Sequence, residues 1–452
     1  MIELIPDLRP HQEEGIEWLT RVGRGLLADP PRTGKTRQLL EAAEGQTLVI
    51  APPSLQGVWM EEWAKWTPDL DMFFVGYNSV ARRAPNAQGK MLKTLPVPYA
   101  ELKGPWDTVI CDEAHALVNP KADWTQAVSK IQSDRLYLAT GTPIPNWAQD
   151  LLQPLRMIFP GDRRFTNKRK WQEYWFNMWD PPWGGQRRPY INSATGSLLL
   201  EDWTWEDFWM ENGLDGPDGR MLLREVDLGV PFTEEDRWVD MTTKQAKVYR
   251  DLKQQYIAWM PSGEEVSAWS DGGLHTKLMQ VSTGLEVLDD NSQGSGKFDE
   301  VRHVLEDSVG HSTLLFCQFR RSADHCGRVA GSLGLKAGVI HGGVDNTDRD
   351  NVRRAFQNGD LDVLVGTLGT IAVGITLDRA STEVFVEHSW SPWRNDQAIK
   401  RAMVQGKKSH VHVIHLWTRK TVDGGMRSAM QDKTDQQVKA FSARQFRQIL
   451  EG

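Results

Sequence analysis

Asp107-Thr108-Val109-Ile110-Cys111-Asp112-Glu113-Ala114-His115 is an apolar run that ends abruptly in charge. Val109 and Cys111 alternate with Thr108 and Ile110, which reads as a buried strand delivering Asp112 and Glu113 to its C-terminal end. Open α/β sheets keep their ligand sites at that edge. An Asp-Glu pair alone is weak in a chain with 60 acidic residues, where a solvated loop is the commoner reading. Thr33-Gly34-Lys35-Thr36, some eighty residues upstream, changes the balance. A Lys-Thr phosphate cradle and a strand-end Asp-Glu are the two halves of a nucleotide-triphosphatase site.

The context of the cradle supports this. Arg24 to Ala28 reads as a strand, Asp29 to Gly34 as a loop and Lys35 to Ala43 as a helix. In that arrangement loop N–H groups and the helix N-terminus face an anion, Lys35 neutralises outer phosphates and Thr36 ligates magnesium. The pattern G-x-x-x-x-G-K-T is incomplete: Asp29 stands at the first Gly position, and Pro30 and Pro31 bring no N–H donors. The cradle must rely on residues 32 to 36.

Further strand–loop–helix units follow at Thr47 to Ala51, Phe73 to Val75 and Leu136 to Ala139, implying a parallel doubly wound sheet. The helix after Ser54 aligns Trp59, Trp63 and Trp66 at i, i+4, i+7, a stripe expected in the core. Pro85 to Pro105 reads as a loop-like spacer. From 162 to 275 the rhythm breaks, and this stretch holds ten of the 20 Trp. Arg163, Arg164, Lys168, Arg169 and Lys170 precede Trp171, Trp175 and Trp179. Such spacing can grip a nucleic-acid backbone, but a helical insert with an aromatic core and solvated charges is the stronger reading. After Gly294-Ser295-Gly296-Lys297, read as a flexible joint, a second strand–helix series runs through Leu314–Cys317, Gly338–Ile340, Leu361–Val365, Val384–Val386 and Val411–Ile414. The helix from Asn395 is expected to align Gln397, Arg401 and Val404 on one face.

The bulk numbers fit this. The chain has 452 residues, room for two or three domains, with ordinary hydrophobic (40%) and charged (25%) fractions. No apolar run approaches the roughly 18 residues of a membrane span, and the first residues lack a signal pattern. Cys111, Cys317 and Cys326 match neither a zinc site nor a disulfide framework, so a cytoplasmic setting is expected. The net charge of −7 does not exclude nucleic acid, because a groove needs only a local basic lining.

In order along the chain, the motifs resemble the Swi/Snf-type branch of the superfamily-two helicase-like ATPases. LRPHQEEGIEWL is similar to an adenine-recognising Q motif, ADPPRTGKT to motif I and TLVIAPPSLQGVWMEEWAKW to motif Ia. VICDEAHALVNPKA and LYLATGTPIPN resemble motifs II and III, and RMIFPGDRRFTNKRKWQEYW the start of a helical protrusion. LLREVDLGVPFTEEDRWVDMTTKQAKVY resembles the link to a second lobe, followed by LMQVSTG and GKFDEVRHVLED. LLFCQFRRSAD, VIHGGVDNTDRDNVRRAFQNG, VLVGTLGTIAVGITL and NDQAIKRAMVQGKK are similar to motifs IV, IVa, V and VI.

The resemblance implies an α/β fold of two RecA-like doubly wound parallel-sheet lobes with ATP and Mg²⁺ in the cleft between them, plus a Trp-rich helical insertion. The expected division is 1–160, 161–275, 276–430 and a helical tail over 431–452. Gln12 would read adenine, Thr33, Gly34, Lys35 and Thr36 would hold the phosphates, and Thr36 and Asp112 would hold magnesium. Glu113 would be the general base, and Gln397 and Arg401 would complete the catalytic set, Arg401 as arginine finger. His115, Thr140, Thr142 and Gly374 would couple hydrolysis to movement. Ser54, Ser79, Gln318, Gly342 and Thr367 would contact nucleic acid. Two departures stand out: Val404 replaces a second motif VI arginine, leaving Lys400, Lys407 or Lys408 to assist, and Arg32 replaces a glycine common in motif I. The implied activity is translocation on double-stranded DNA, with single-stranded DNA as the alternative track. The competing readings are a strand-separating helicase and a non-hydrolysing clamp that needs a partner's arginine. A compact motor of this kind is expected to be a monomer by default, targeted through its insert, its C-terminal tail (Asp432 to Gly452) or a protein partner, and to serve replication, recombination or repair in a bacterial or phage-infected cell.

Overall fold

The computed structural model describes residues 7–431 except 83–96, 146–147, 180–187, short stretches within 190–203, 216–218, 225, 227–228, short stretches within 261–294, 372–376, 391, 405–406 and 429. Gly374, most of the Pro85–Pro105 spacer and the C-terminal tail fall outside the described residues. The chain divides into two compact units, one holding residues 1–227 and the other 228–431. The division falls inside the stretch expected as a helical insertion.

The first unit is built on β1 (Arg24–Leu27), β2 (Thr47–Ala51), β3 (Met72–Gly76), β4 (Trp106–Asp112), β5 (Ser133–Ala139) and β6 (Met221–Leu222). They form one sheet in the order β6-β1-β5-β4-β2-β3, every pairing parallel. β4 does not alternate as the sequence suggested: Thr108, Val109, Ile110 and Cys111 are all buried. Helices cover both faces of an interior parallel strand, so polar and apolar neighbours are buried alike. β6 was not foreseen. Two residues long, it returns from the Trp-rich stretch and extends the sheet beyond β1.

The aromatics of that stretch face inward. Trp171, Trp175, Phe176, Phe208 and Trp209 are buried and join the same core as Leu26 of β1 and Leu138 of β5. Phe208 meets Trp175 edge-on at 5.0 Å and Trp209 at 5.3 Å between ring centroids. Trp171 Nε1 donates to Asn212 Oδ1 at 2.8 Å, which satisfies the indole on burial. Arg163, Arg164, Lys168, Arg169 and Lys170 are exposed on the outside. The stripe on helix Gln56–Trp66 is divided instead: Trp59 is buried, while Trp63 and Trp66 are half-buried, with the Arg37 guanidinium 3.8 Å above the Trp66 ring. A surface helix needs only one edge of such a stripe in the core.

The second unit repeats the plan with β7 (Phe232–Val239), β8 (Thr313–Cys317), β9 (Ala337–Ile340), β10 (Val363–Thr367), β11 (Thr382–Phe385) and β12 (Val411–Thr418). The order is β7-β12-β11-β8-β10-β9, again all parallel. Both sheets have the RecA-like doubly wound form. β7 carries Glu234, Glu235 and Asp236 and was hidden in the sequence as a linker; acids are tolerated because it is an edge strand. The three cysteines are free and buried, as expected of reduced core residues. Among the described residues no helix is long and apolar enough to cross a membrane.

Two local expectations are corrected here. Ser295-Gly296-Lys297 is not a flexible joint: Ser295 caps helix Gly296–Asp307, and Lys297 is buried. Helix Pro392–Ile399 stops before Arg401, so Arg401 and Val404 do not share its face. Arg401 N–H reaches back to the Ala398 carbonyl, and the Arg401 carbonyl accepts from Leu377 N–H at 3.0 Å, which draws the chain out of the helix.

Candidate active site

β1 ends at Leu27, and the loop that follows turns into helix Lys35–Ala42. Asp29, at the place of the first loop glycine, is fully buried and points away from the cradle. Its carboxylate is gripped by Arg224, whose Nε lies 3.1 Å from Asp29 Oδ1. Arg224 also reaches Glu14 at 3.1 Å and Gln38 Oε1 at 3.0 Å. A buried charge needs such a partner, and the pair fixes the start of the loop. No local pattern signals this pairing, since 195 residues separate the two.

The rest of the loop is held from above and below. Gln12 Oε1 accepts from Arg9 N–H at 3.1 Å, and its Nε2 donates to the Thr33 carbonyl at 3.3 Å. His11 Nε2 meets the same carbonyl at 2.9 Å. Gln12 therefore ties its helix to the phosphate loop. Gly34 has φ +75°, and a Cβ there would stand 2.2 Å from Gln12 Nε2, so a side chain would strain the backbone and displace the Gln12 amide. Arg32 takes φ +72°, the left-handed region in which the commoner glycine is at ease. Lys35 Nζ donates to the carbonyls of Asp29 (2.8 Å) and Pro30 (2.9 Å), at the mouth of the loop. Thr36 follows in the first helical turn, half-buried.

The carboxylates arrive from β4. Asp112 is its last residue, paired with Ala139 of β5. Trp59 Nε1 donates to Asp112 Oδ2 at 3.1 Å, Glu113 N–H to Oδ1 at 2.9 Å, and Tyr77 Oη–H to the Asp112 carbonyl at 2.8 Å. Desolvation pushes the Asp112 carboxyl up to about 6; the Glu113 charge adds to the rise and the Lys35 ammonium opposes it. Lys35 and Asp112 thus share one electrostatic neighbourhood, although 77 positions apart in sequence. Glu113 has φ +50°, a strained backbone that turns its side chain off the strand axis. Its Oε2 lies 3.2 Å from His115 Nδ1. That nitrogen is 3.1 Å from Thr140 Oγ1 and 3.5 Å from Thr142 Oγ1, and the two hydroxyls are 3.2 Å apart. A polar chain therefore runs from Glu113 through His115 to the loop after β5. Trp59, Tyr77 and Arg224 are positioning residues that sequence reasoning missed.

The remaining candidates sit at the carboxyl ends of their strands. Ser54 and Ser79 follow β2 and β3 and are exposed. Gln318 and Gly342 follow β8 and β9 and are exposed, whereas Thr367 ends β10 buried, its Oγ1 2.9 Å from Thr370 Oγ1. Gln397 and Arg401 are buried in the second unit. Lys407 is turned inward to the carbonyls of Ala380 and Ala402, which leaves Lys400 (half-buried) and Lys408 (exposed) nearer solvent.

The donor set of the first unit fits a nucleotide triphosphate with its magnesium. The Lys35 ammonium shares the electrostatic neighbourhood of the strand-end carboxylates Asp112 and Glu113, and the Thr36 hydroxyl follows in the first turn of the helix that Gly34 opens.

Comparison with known proteins identifies the family. The SNF2-related domain model matches residues 11–286, and the Helicase conserved C-terminal domain model matches 296–406. The chain is 24% identical to TATA-binding protein-associated factor mot1 of Aspergillus fumigatus over 95% of its own length and 26% of that protein. It is 25% identical to nuclear protein STH1/NPS1 of Saccharomyces cerevisiae over 97% of this chain and 35% of that one. For the ISWI chromatin-remodeling complex ATPase ISW1 of the same yeast the values are 24%, 92% and 39%. The chain thus spans roughly a quarter to two fifths of the length of these relatives. Among solved structures, the Sulfolobus solfataricus SWI2/SNF2 ATPase core in complex with dsDNA matches over 98% of this chain and 97% of that one, at 20% identity and a TM-score of 0.38. With its SNF2-related model covering more than half of the chain, and the phosphate loop and strand-end carboxylates in place, the protein belongs to the SNF2-related family of ATP-hydrolysing enzymes.

Proposed function

We propose that the protein is an ATP-driven translocase on double-stranded DNA. The observation that carries this reading is the polar chain from Glu113 through His115 to Thr140 and Thr142, which links a general-base position to a loop at the sheet edge. A clamp that only binds nucleotide has no use for a base so connected. Several relatives are named for chromatin remodeling or transcription regulation, which fits a motor that acts on DNA.

ATP with its magnesium supplies the phosphoanhydride and the cation when bound. Lys35 would neutralise the outer phosphates, Thr36 and Asp112 would hold the cation, and Gln12 ties its helix to the loop. Glu113 takes a proton from the attacking water at its carboxylate, and His115 senses that change of charge 3.2 Å away. Thr140 and Thr142 pass it to the loop. Arg401, as the motif VI arginine, is the cation proposed to stabilise the transition state. Ser54, Ser79, Gln318, Gly342 and Thr367 are proposed to face the nucleic-acid backbone from the carboxyl edges of their sheets.

The deciding experiment is steady-state ATP hydrolysis without nucleic acid and with duplex DNA, single-stranded DNA or RNA, using Glu113→Gln as the blank. Stimulation by duplex that vanishes in the variant is expected. Stimulation by single strands alone points to a strand-separating helicase, and no turnover despite nucleotide binding points to a clamp.

A further inference from the structure

The helix Thr243–Gln255 and the hairpin after it carry a surface that the motif reading leaves unused. Gln245, Val248, Tyr249 and Leu252 are its buried side. Lys244, Lys247, Arg250 and Lys253 are exposed. At about 100° per residue these four fan across the solvent half of the helix, spread over about 14 Å of its length. A helix face that merely solvates itself interleaves acids with bases. Here Asp251 is the one acid in the helix, 3.9 Å from Arg250 and beyond good hydrogen-bond reach. No ion pair among the described residues engages Lys244, Lys247 or Lys253. Four like charges at this spacing weaken an isolated helix. In a chain of net charge −7, this is local concentration against the general trend.

The helix then ends in an unusual way. Tyr256 takes φ +60° and donates its N–H to the Leu252 carbonyl, which reverses the chain into the antiparallel hairpin Ile257–Trp259 with Glu265–Ser267. Ala258 points into the core, while Ile257 and Trp259 stand outward. Trp259 is 63% exposed and Tyr256 40%. Among the described residues of the second unit no contact accounts for an indole so open to water.

The location supplies the partner. The helix begins at the Thr242 cap, just past the carboxyl end of β7. All strands of the sheet are parallel, so this is the edge that also carries Gln318, Gly342 and Thr367. β7 stands three strands from β8 in the sheet, roughly 14 Å along that edge. We infer that Lys244, Lys247, Arg250, Lys253 and Trp259 form a second contact with double-stranded nucleic acid. The four cations lie along its phosphates, and the indole covers the adjoining sugar edge. This extends the duplex reading proposed above and rests on it.

The test is a salt titration of binding to a labelled blunt DNA duplex by the full chain. For the quadruple variant Lys244→Ala/Lys247→Ala/Arg250→Ala/Lys253→Ala, the slope of log K against log salt should fall by about 3 to 4. Trp259→Ala alone should weaken binding about 10-fold with the salt slope kept. The quadruple Lys→Arg/Arg→Lys exchange should bind like wild type, which separates charge from folding. Should the quadruple alanine chain lose its thermal transition, Lys247→Ala/Arg250→Ala must still lower the slope by about 2. An unchanged slope in a folded variant beside a duplex-binding wild type overturns the inference alone. Absence of salt-dependent duplex binding in wild type overturns the duplex reading and this surface with it. Duplex binding unaffected by the variants, with loss of binding to an acidic polypeptide such as polyglutamate, overturns it in favour of a protein partner.

Discussion

Among the described residues two Gly-Lys pairs stand at the start of a helix, and they do opposite things. Gly34-Lys35 opens the helix Lys35–Ala42, and Gly296-Lys297 opens the helix Gly296–Asp307. Lys35 is half-buried at a loop mouth, donates to two backbone carbonyls it can release and lies within the field of Asp112. Lys297 is 2% exposed, ion-paired with Asp423 at 2.7 Å and bonded to the Val386 carbonyl at 3.0 Å. The glutamates of the two units differ in the same manner. Glu113 lies beside His115, its carboxylate still partly open to solvent. Glu387 is buried, with its oxygens taken by Gln318 N–H, Phe319 N–H and the Ser322 hydroxyl. One lysine and one glutamate are the ones proposed above to meet the nucleotide; the other two are locked as framework. Residue type is alike, so what separates them is how deeply the fold buries the group: Lys297 and Glu387 are buried, while Lys35 and Glu113 are half-buried.

The sharpest way to break the comparison is to exchange the glutamates. Glu113→Gln should cost about 10² to 10⁴ in turnover while nucleotide binding persists, measured by hydrolysis and by fluorescent-nucleotide titration. Glu387→Gln should keep turnover per folded molecule and lower the urea midpoint. Lost turnover at unchanged stability would refute the framework role of Glu387. The lysines come next. Lys297→Met should destabilise by about 3–5 kcal/mol in urea unfolding, because it strands Asp423 in the interior; Lys297→Met/Asp423→Leu should recover most of that. Lys35→Met should leave the midpoint nearly in place and abolish nucleotide affinity.

A third contrast sets the tryptophans against each other. Trp171→Ala should cost about 3 kcal/mol or more through the cavity it leaves among Phe176 and Phe208, with DNA affinity of the folded fraction intact. Trp66→Ala, on a half-buried ring under Arg37, should cost about 1 kcal/mol, the scale of an exposed cation–π contact. The smallest expected effect is on coupling. Thr140→Val removes the hydroxyl facing His115 and should reduce duplex stimulation about 5-fold, with basal hydrolysis close to wild type.

Strand-end chemistry was legible because parallel sheets put it in a fixed place. The apolar runs at β2, β4, β5, β8 and β12 are long enough to announce themselves, and Asp112-Glu113 and Gly34-Lys35-Thr36 follow at the edges where such folds keep ligands. The reverse cases are instructive. β7 is rich in acids because one side of an edge strand faces water, so its hydropathy looked like a linker. β6 is only two residues long and owes its strand form to the waiting edge of β1. The helical face expected for Gln397, Arg401 and Val404 failed because the Arg401 carbonyl is claimed by Leu377, a contact that no periodicity encodes.

By itself, then, the sequence determined the two parallel sheets, the phosphate loop, the carboxylate pair and the family, since each depends on local pattern and on order along the chain. Only the tertiary structure decided that Asp29 turns away to Arg224, that Trp59 and Tyr77 hold Asp112, and that Lys297 and Glu387 are framework. Those facts rest on pairings across tens to hundreds of residues. They are set by which charges burial leaves in need of a partner, and that is known only once the chain has closed around them.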